Sequence, residues 1–238
     1  MTAMKKAIIY AGADRYDGPY HDHAATSQRI AEILRDVEID ARIRGFRPRN
    51  IRAGELEDAG AAADLLILNA ANGHQGPDDA DDAAWADAWA TIDAYVQRGG
   101  PLMVRHLSSA IFAHDPAWKH RIGGVWLPGT SMHPPISDAT VTVKTGAHAI
   151  VAGLADFPIY DEMYSFLQTE PEITVLATHT YEGIEHPLAW ATEAAGNRVV
   201  YDAIGHGVEA FDAPGAIRLL QREALWLAGA DEAAIAAT

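Results

Sequence analysis

Residues 65–68 have the sequence Leu-Leu-Ile-Leu, and Asn69 follows them. A short run that is apolar at every position is typical of a central parallel strand, because helices cover both of its faces. The polar residue at its end is expected where such a strand leaves the core. This stretch therefore predicts a strand at the centre of an α/β sheet.

Apolar runs and helical patterns alternate on both sides of this strand. Such alternation is typical of βαβ units and a mainly parallel sheet. The patterns predict further strands at 6–11, 39–43, 101–105, 141–144, 159–166, 173–178 and 198–204, and helices at 24–37, 83–98, 108–114, 116–121 and 216–228. The segment 123–135, rich in Gly and Pro, predicts a long loop. We therefore predict an α/β fold with a doubly wound, mainly parallel sheet and a single domain over residues 1–238.

Composition excludes several classes of function. The chain has 33 acidic and 18 basic residues and a formal net charge of -15. Such a surface repels phosphate groups, so we expect neither a nucleic-acid partner nor a membrane partner. The apolar runs are too short for a signal segment or a membrane span, and we expect a cytoplasmic protein. The sequence contains no cysteine, which excludes disulfides, thiolate metal sites and cysteine nucleophiles.

Histidines collect in the loops that follow the predicted strands. His21 and His23 follow the first strand, His74 follows the third, His106 follows strand 101–105, and His206 follows the last. The carboxyl ends of parallel strands meet at one edge of a sheet, where ligands bind. We therefore predict that these imidazoles converge on one pocket, although a single loop histidine is more often a hydrogen-bonded structural residue than a ligand.

An imidazole can bind a metal or relay a proton near neutral pH, and Asp161 or Glu162 would complete either kind of site. No His-Glu-x-x-His pattern favours zinc, so both interpretations stay open. Residues 12–18 lack the glycine spacing and the lysine of nucleotide-binding loops, and we expect no nucleotide cofactor. No Gly-x-Ser-x-Gly pattern frames Ser108 and Ser109, so the sequence does not predict a serine hydrolase.

A set of short motifs occurs in a characteristic order over nearly the whole chain. The motifs are Tyr20-His21 with His23, Val104-Arg105-His106, Gly123-Gly124, His133-Pro134, His148, Gly153-Leu154, Ile159 to Tyr164, Pro187 to Trp190, Gly196 to Val199, Gly205-His206 and Ala224-Leu225-Trp226. Together they resemble the ThuA-like (trehalose utilisation) family, which implies a flavodoxin-like, class I glutamine amidotransferase-like fold. The sequence departs from the family pattern at Arg105, where Gly is usual, and at Ser108-Ser109, which replace a small alanine-type pair.

The resemblance implies a role in the catabolism of trehalose or a related disaccharide, including its oxidised 3-keto form, as an isomerase, lyase or hydrolase. It also implies a divalent metal, such as Zn or Mn, in a His-rich pocket. A keto-sugar enzyme needs a base beside the carbonyl group and an electrophile for the developing oxyanion. We expect catalytic roles for His106, Asp161 and Glu162, metal binding by His23 and His206, and substrate binding by His21, His74, His133 and Tyr164.

Other interpretations stay open at this stage. Amidotransferases of this fold present a cysteine where His106 stands, so a thiolate glutaminase is excluded here. A non-catalytic sugar-sensing or partner-binding module is the alternative function, and an amidase that uses His and Asp is a third. Tyr164 and Trp190 fit either a sugar platform or the core. We expect His114, His120, His179 and His186 to be surface or structural residues, and the protein to be capable of forming a homo-oligomer.

Overall fold

The structure is a computed structural model and describes residues 4–57 and 63–238. Its strands are β1 (Lys5–Ala11), β2 (Ile39–Gly45), β3 (Leu65–Asn69), β4 (Leu102–Arg105), β5 (Gly124–Val125), β6 (Ser137–Val143), β7 (Phe157–Asp161), β8 (Gln168–Thr169), β9 (Thr174–Tyr181), β10 (Ile184–Thr192) and β11 (Val199–Asp202). Its α-helices are α1 (His23–Arg35), α2 (Ala53–Glu57), α3 (Asp82–Gln97), α4 (Pro116–Ile122), α5 (Pro214–Leu227) and α6 (Glu232–Ala236). Short 3₁₀ helices include His106–Ala110 and Val208–Asp212.

One mixed sheet holds nine of these strands in the order β2-β1-β3-β4-β11-β10-β9-β6-β7. The first five are parallel, as the alternating pattern predicts, and β3 is buried at every position. The other four are antiparallel. The sheet is therefore parallel in its first half only, and β5 pairs with β8 in a separate ribbon.

The antiparallel half follows from a tight turn between β9 and β10. Glu182 and Gly183 have φ values of 51° and 77°, and Tyr181 pairs with Ile184 across them. Positive φ at both central residues is the backbone of the two-residue turns that match the twist of a β-hairpin. The chain therefore folds back on itself here instead of crossing over through a helix.

Helices cover both faces of the parallel half. α1 contacts β1 and β2, and α2 contacts α3. The right-handed rule for parallel crossovers assigns α1 to one face of the sheet and α2 and α3 to the other. α5 packs beside α1, which makes that face a two-helix layer. Within residues 4–57 and 63–238, no helix is both long and apolar enough to cross a lipid bilayer.

The segment 159–166 is not one strand as predicted, because β7 ends at Asp161. Phe166 adopts a left-handed φ of 59°, and Ser165 pairs with Met132 in an isolated bridge. These contacts turn the backbone out of the sheet, so that Glu162 and Tyr164 both face a cavity. The irregular segment therefore supplies site residues that a regular strand would place in the sheet.

Asp22 caps the start of α1, since its side chain accepts a hydrogen bond of 2.9 Å from the backbone N of Ala25. We expect Asp22→Ala to lower the free energy of unfolding by about 1 kcal/mol, the usual cost of losing an N-cap. Asp22→Asn is the matched control, because asparagine caps equally well. Chemical denaturation measures both variants, and an alanine variant as stable as the wild type would contradict this role.

Candidate functional site

Four side chains converge at the carboxyl edge of the sheet. One N or O atom from each of His21, His106, Glu162 and His206 lies within 4.8 Å of the others. Nε2 of His106 is 3.1 Å from Nε2 of His21 and 3.4 Å from Oε2 of Glu162. Nδ1 of His206 is 3.2 Å from Oε1 of Glu162. We call these residues the four-residue cluster.

His106 occupies a left-handed backbone position directly after β4, with φ of 45°. This conformation costs a non-glycine residue on the order of 1–3 kcal/mol, so the surroundings must hold it. Its carbonyl accepts hydrogen bonds from the hydroxyl of Tyr201 at 3.1 Å and from that of Ser109 at 3.2 Å. Its Nδ1 lies 2.6 Å from the carbonyl oxygen of Ala203 and must donate to it. Because Nδ1 carries the donated proton, Nε2 is the ring nitrogen that faces the cluster.

Tyr164 covers the same imidazole. Its ring stacks on that of His106 with centroids 4.3 Å apart, and its hydroxyl lies 2.9 Å from Nε2. Burial raises the pKa of Tyr164 well above its usual range, so the hydroxyl keeps its proton. It can therefore donate a hydrogen bond to the Nε2 lone pair of His106 when no metal ion occupies that lone pair.

Protonation differs among the cluster residues. Burial, and then the charges of the surrounding imidazoles, lower the pKa of His21 to about 3. Burial favours a neutral Glu162, but His106 and His206 outweigh it and hold the pKa of Glu162 below its usual range. Contact with Glu162 raises the pKa of His206, against burial. The cluster therefore pairs an ionised carboxylate with a neutral His21 and a His206 that binds protons readily.

Asp161, expected to be catalytic, has a different set of partners from its neighbour Glu162. Its carboxylate accepts hydrogen bonds from the backbone N of Gly205 at 2.7 Å and from that of His206 at 3.0 Å. The side chain is 1% exposed, and burial raises its pKa. These contacts fix the backbone that carries His206. Asp161 itself does not line the cavity.

A cavity of about 600 Å³ opens above the cluster. The apolar part of its lining includes Leu107, Ala110, Trp126 and Pro128. Sequence reasoning missed Trp126, because a tryptophan after a two-residue strand looks no different from a core residue. Its ring contacts that of Tyr164 with centroids 4.3 Å apart. The cavity thus combines a polar floor with an aromatic side.

The other predicted site residues are distributed unevenly around this cavity. His133 lines it, with Nε2 3.5 Å from Oε1 of Glu162. His23 is 4% exposed and stacks on His21 at 5.5 Å, behind the cluster rather than within it. His74 is exposed and does not line the cavity. Trp190 is fully buried and donates to the carbonyl of Ile122, so it belongs to the core.

Comparisons with known proteins agree with this architecture. The sequence model of the ThuA family, described as trehalose utilisation, matches residues 8–227. The chain is similar to solved structures described as ThuA-like from Parabacteroides merdae (18% identity, 96% of this chain and 91% of that one, TM-score 0.72) and Bacteroides uniformis (19%, 96% and 93%, 0.65). It is also similar to a glutamine amidotransferase from Thermotoga maritima (10%, 94% and 83%, 0.51). A comparison with curated protein sequences finds no match.

Because identity is below one fifth in each case, these similarities show a shared fold and nothing further. They confirm the expected amidotransferase-like, ThuA-like architecture. They carry no information about the reaction of this chain, which rests on the site itself.

We expect Glu162→Gln to lower the pKa of His206 by about one pH unit or more, because the carboxylate contact that raises it is lost. With a raised folded-state pKa, His206 contributes stability that is fully present below its unfolded pKa and is lost as the pH rises through the folded value. The variant should lose that contribution. An NMR titration of the metal-free protein measures the shift.

Glu209→Gln is the control for this prediction, because the Glu209 charge is the smallest of the influences that raise the pKa of His206. It should shift the titration much less. An unchanged His206 titration in Glu162→Gln would show that the carboxylate does not govern this imidazole.

Proposed function

This chain belongs to the ThuA family, and on that premise we propose that it is an enzyme of sugar catabolism that acts on a keto sugar derived from trehalose or a related disaccharide. The observation that carries the proposal is the convergence of three imidazoles and one carboxylate at the floor of a cavity. These groups come from four separate segments of the chain. Such a set of proton-transfer and metal-binding groups in one concave pocket is typical of an active site.

The four-residue cluster fits a divalent metal ion. Ligand atoms in a tetrahedral site with bonds of about 2.0–2.1 Å lie roughly 3.4 Å apart. The contacts of 3.1, 3.2 and 3.4 Å are close to that value, although the last two use different oxygens of Glu162, and the four ligand atoms lie within 4.8 Å of one another. Nδ1 of His206 is buried, and it lies 3.2 Å from Oε1 of Glu162, so that both atoms face the position an ion would occupy. Imidazole and carboxylate ligands suit Zn or Mn.

A divalent ion held by His21, His106, Glu162 and His206 would supply a Lewis acid for the carbonyl group of the substrate if it accepted that group as a fifth ligand. The hydrogen bond from His106 Nδ1 to Ala203 keeps the tautomer whose Nε2 can bind. Asp161 holds the backbone of His206 in place. Backbone groups of Ala203 and His206 therefore fix the orientation of two of the candidate ligands.

His133 is our candidate for the base. Its Nδ1 donates to the carbonyl oxygen of Pro134 at 2.9 Å, which leaves Nε2 to accept a proton from a substrate in the cavity. Removal of the proton from the carbon beside the carbonyl is the first step of both isomerisation and elimination. In an elimination, the electron pair of the broken C–H bond expels the glycosidic oxygen, which then takes up a proton.

Trp126 is proposed to bind the sugar ring. Its side chain is half-buried in the apolar part of the cavity lining, with its ring centroid 5.9 Å from that of His133. An aromatic face there covers the apolar side of a sugar, while Asn72 on the same lining offers hydrogen bonds to hydroxyl groups. This arrangement orients the substrate between wall and cluster.

Zinc binding and turnover test the proposal together. We expect the purified protein to bind Zn²⁺ in calorimetry and to convert a 3-keto disaccharide. His206→Ala should lose more affinity for zinc than the roughly 10–100-fold typical of changing an outer-shell partner. His74→Ala is the matched control, because His74 is exposed and lies outside the cavity.

Three outcomes would count against this proposal. Equal zinc affinity in His206→Ala and His74→Ala would remove the cluster from metal binding. Full turnover in His133→Ala would remove the base. A wild-type protein that binds sugars, but does not bind zinc and does not turn over a keto sugar, would be a non-catalytic sugar-sensing module. That module is the alternative function for a fold without the amidotransferase cysteine.

The role of Trp126 is tested separately. Trp126→Ala should raise KM, or the Kd for the sugar, by about tenfold, because about 1.4 kcal/mol of apolar contact is lost, with a smaller change in kcat. Trp126→Phe keeps an aromatic face and should retain most of the affinity. Equal KM values in wild type and Trp126→Ala would exclude the proposed binding of the sugar ring by Trp126.

A further inference from the structure

Three ionisable side chains lie buried near the backbone that carries the cluster residues His106 and His206. Arg105, Asp202 and Glu223 are 1%, 1% and 0% exposed, between the sheet and α5. Burying charge is expensive, and apolar residues of similar volume often serve stability equally well. The position of these three residues therefore calls for a role beyond packing. We call them the buried triad.

The guanidinium of Arg105 joins two adjacent parts of the loop after β11. Arg105 and Asp202 are register partners in the parallel pair β4 and β11, and Nη1 of Arg105 forms an ion pair with Oδ2 of Asp202. Nη2 of Arg105 donates to the carbonyl oxygen of Ile204 at 2.6 Å. Oδ1 of Asp202 accepts from the backbone N of Ile204 at 2.8 Å. Both backbone polar groups of Ile204 are therefore fixed by the triad.

The residues on either side of Ile204 form part of the site. Ala203 precedes it and offers the carbonyl that His106 Nδ1 binds at 2.6 Å. Gly205 and His206 follow it, and His206 belongs to the cluster. A displacement of Ile204 would therefore move the acceptor that sets the His106 tautomer and the backbone of a second cluster residue.

We propose that Arg105 is a positioning residue, whose two-pronged contact with Asp202 and Ile204 sets the ring orientation and tautomer of His106 through the carbonyl of Ala203. This inference deepens the proposed function, because it concerns the same cluster. Part of its test needs neither metal nor substrate, so the two proposals can fail independently.

Glu223 has a separate part in the triad. Its Oε2 lies 3.6 Å from Nη1 of Arg105, and its carboxyl group, when protonated, can donate a hydrogen bond to Asp202. Burial, and then the charge of Asp202, raise the pKa of Glu223 well above its usual range. A neutral Glu223 leaves Arg105 and Asp202 as the charged pair. Glutamine at this position should therefore preserve the contacts of Arg105.

The test is the imidazole N–H signal of His106 in metal-free protein. A buried N–H that donates to a carbonyl exchanges slowly with water and gives a downfield proton resonance, which ¹⁵N-histidine labelling detects and the variant His106→Asn identifies. Arg105→Lys keeps the charge but has one ammonium in place of the planar fork. We expect it to lose or shift this signal and to lower the affinity for Zn²⁺ about tenfold.

Two control variants separate positioning from general stability. Glu223→Gln should keep both the signal and the zinc affinity. Arg222→Lys changes another buried arginine, which donates to the carbonyls of Ala152 and Ala236 instead of the loop after β11. It should lower Tm without changing the His106 signal.

An unchanged N–H signal in Arg105→Lys, with zinc affinity within twofold of wild type, would overturn the proposal even if Tm falls. If Arg105→Lys does not fold, Asp202→Asn carries the test, because Arg105 then keeps Ile204 but faces an amide in place of a carboxylate. It should change the signal in the same direction. Failure of the wild type to bind zinc would count against the proposed function alone, since the signal still decides the role of Arg105.

Discussion

The left-handed backbone of His106 is the constraint on which the site depends. A strand that ended in the ordinary extended conformation would direct this side chain along the face of the sheet. With φ of 45° it lies across the edge instead, where His21 and Tyr164 meet its Nε2. The hydrogen bond that its carbonyl accepts from Tyr201 and the one that its Nδ1 donates to Ala203 offset the cost of this conformation. The energy stored in the backbone is thus tied to the geometry of the cluster.

The antiparallel half of the sheet supplies the part of the site that a parallel sheet lacks. β7 is the last strand in the order, far from β11 in the sheet, yet Asp161 at its end binds the backbone after β11. The antiparallel half of the sheet therefore returns to the carboxyl edge of the parallel half, and Glu162 lies there with it. Loops of the parallel half contribute the imidazoles, and the returning segment contributes the carboxylate and the phenol of Tyr164.

The sequence predicts the central strands and the convergence of His21, His106 and His206, because both follow from local pattern and from the geometry of parallel strands. It cannot decide between His21 and His23, since that depends on the residue at which α1 begins. Nor can the sequence predict that the backbone leaves the sheet at residues 162–166, because the pattern there is that of a strand and tertiary contacts override it. His74 shows the converse limit, because a loop after a strand also holds residues that point to solvent.

The positive φ at position 106 also narrows the mutational paths open to this protein. Glycine, asparagine and aspartate tolerate that region of backbone space, whereas β-branched side chains are strongly disfavoured there. Substitutions at position 106 that preserve the turn are therefore mostly to glycine or small polar residues, which lack the imidazole ring. A descendant that abandons the chemistry can retain the architecture unchanged, so inactive relatives of such a protein would be expected to stay well folded.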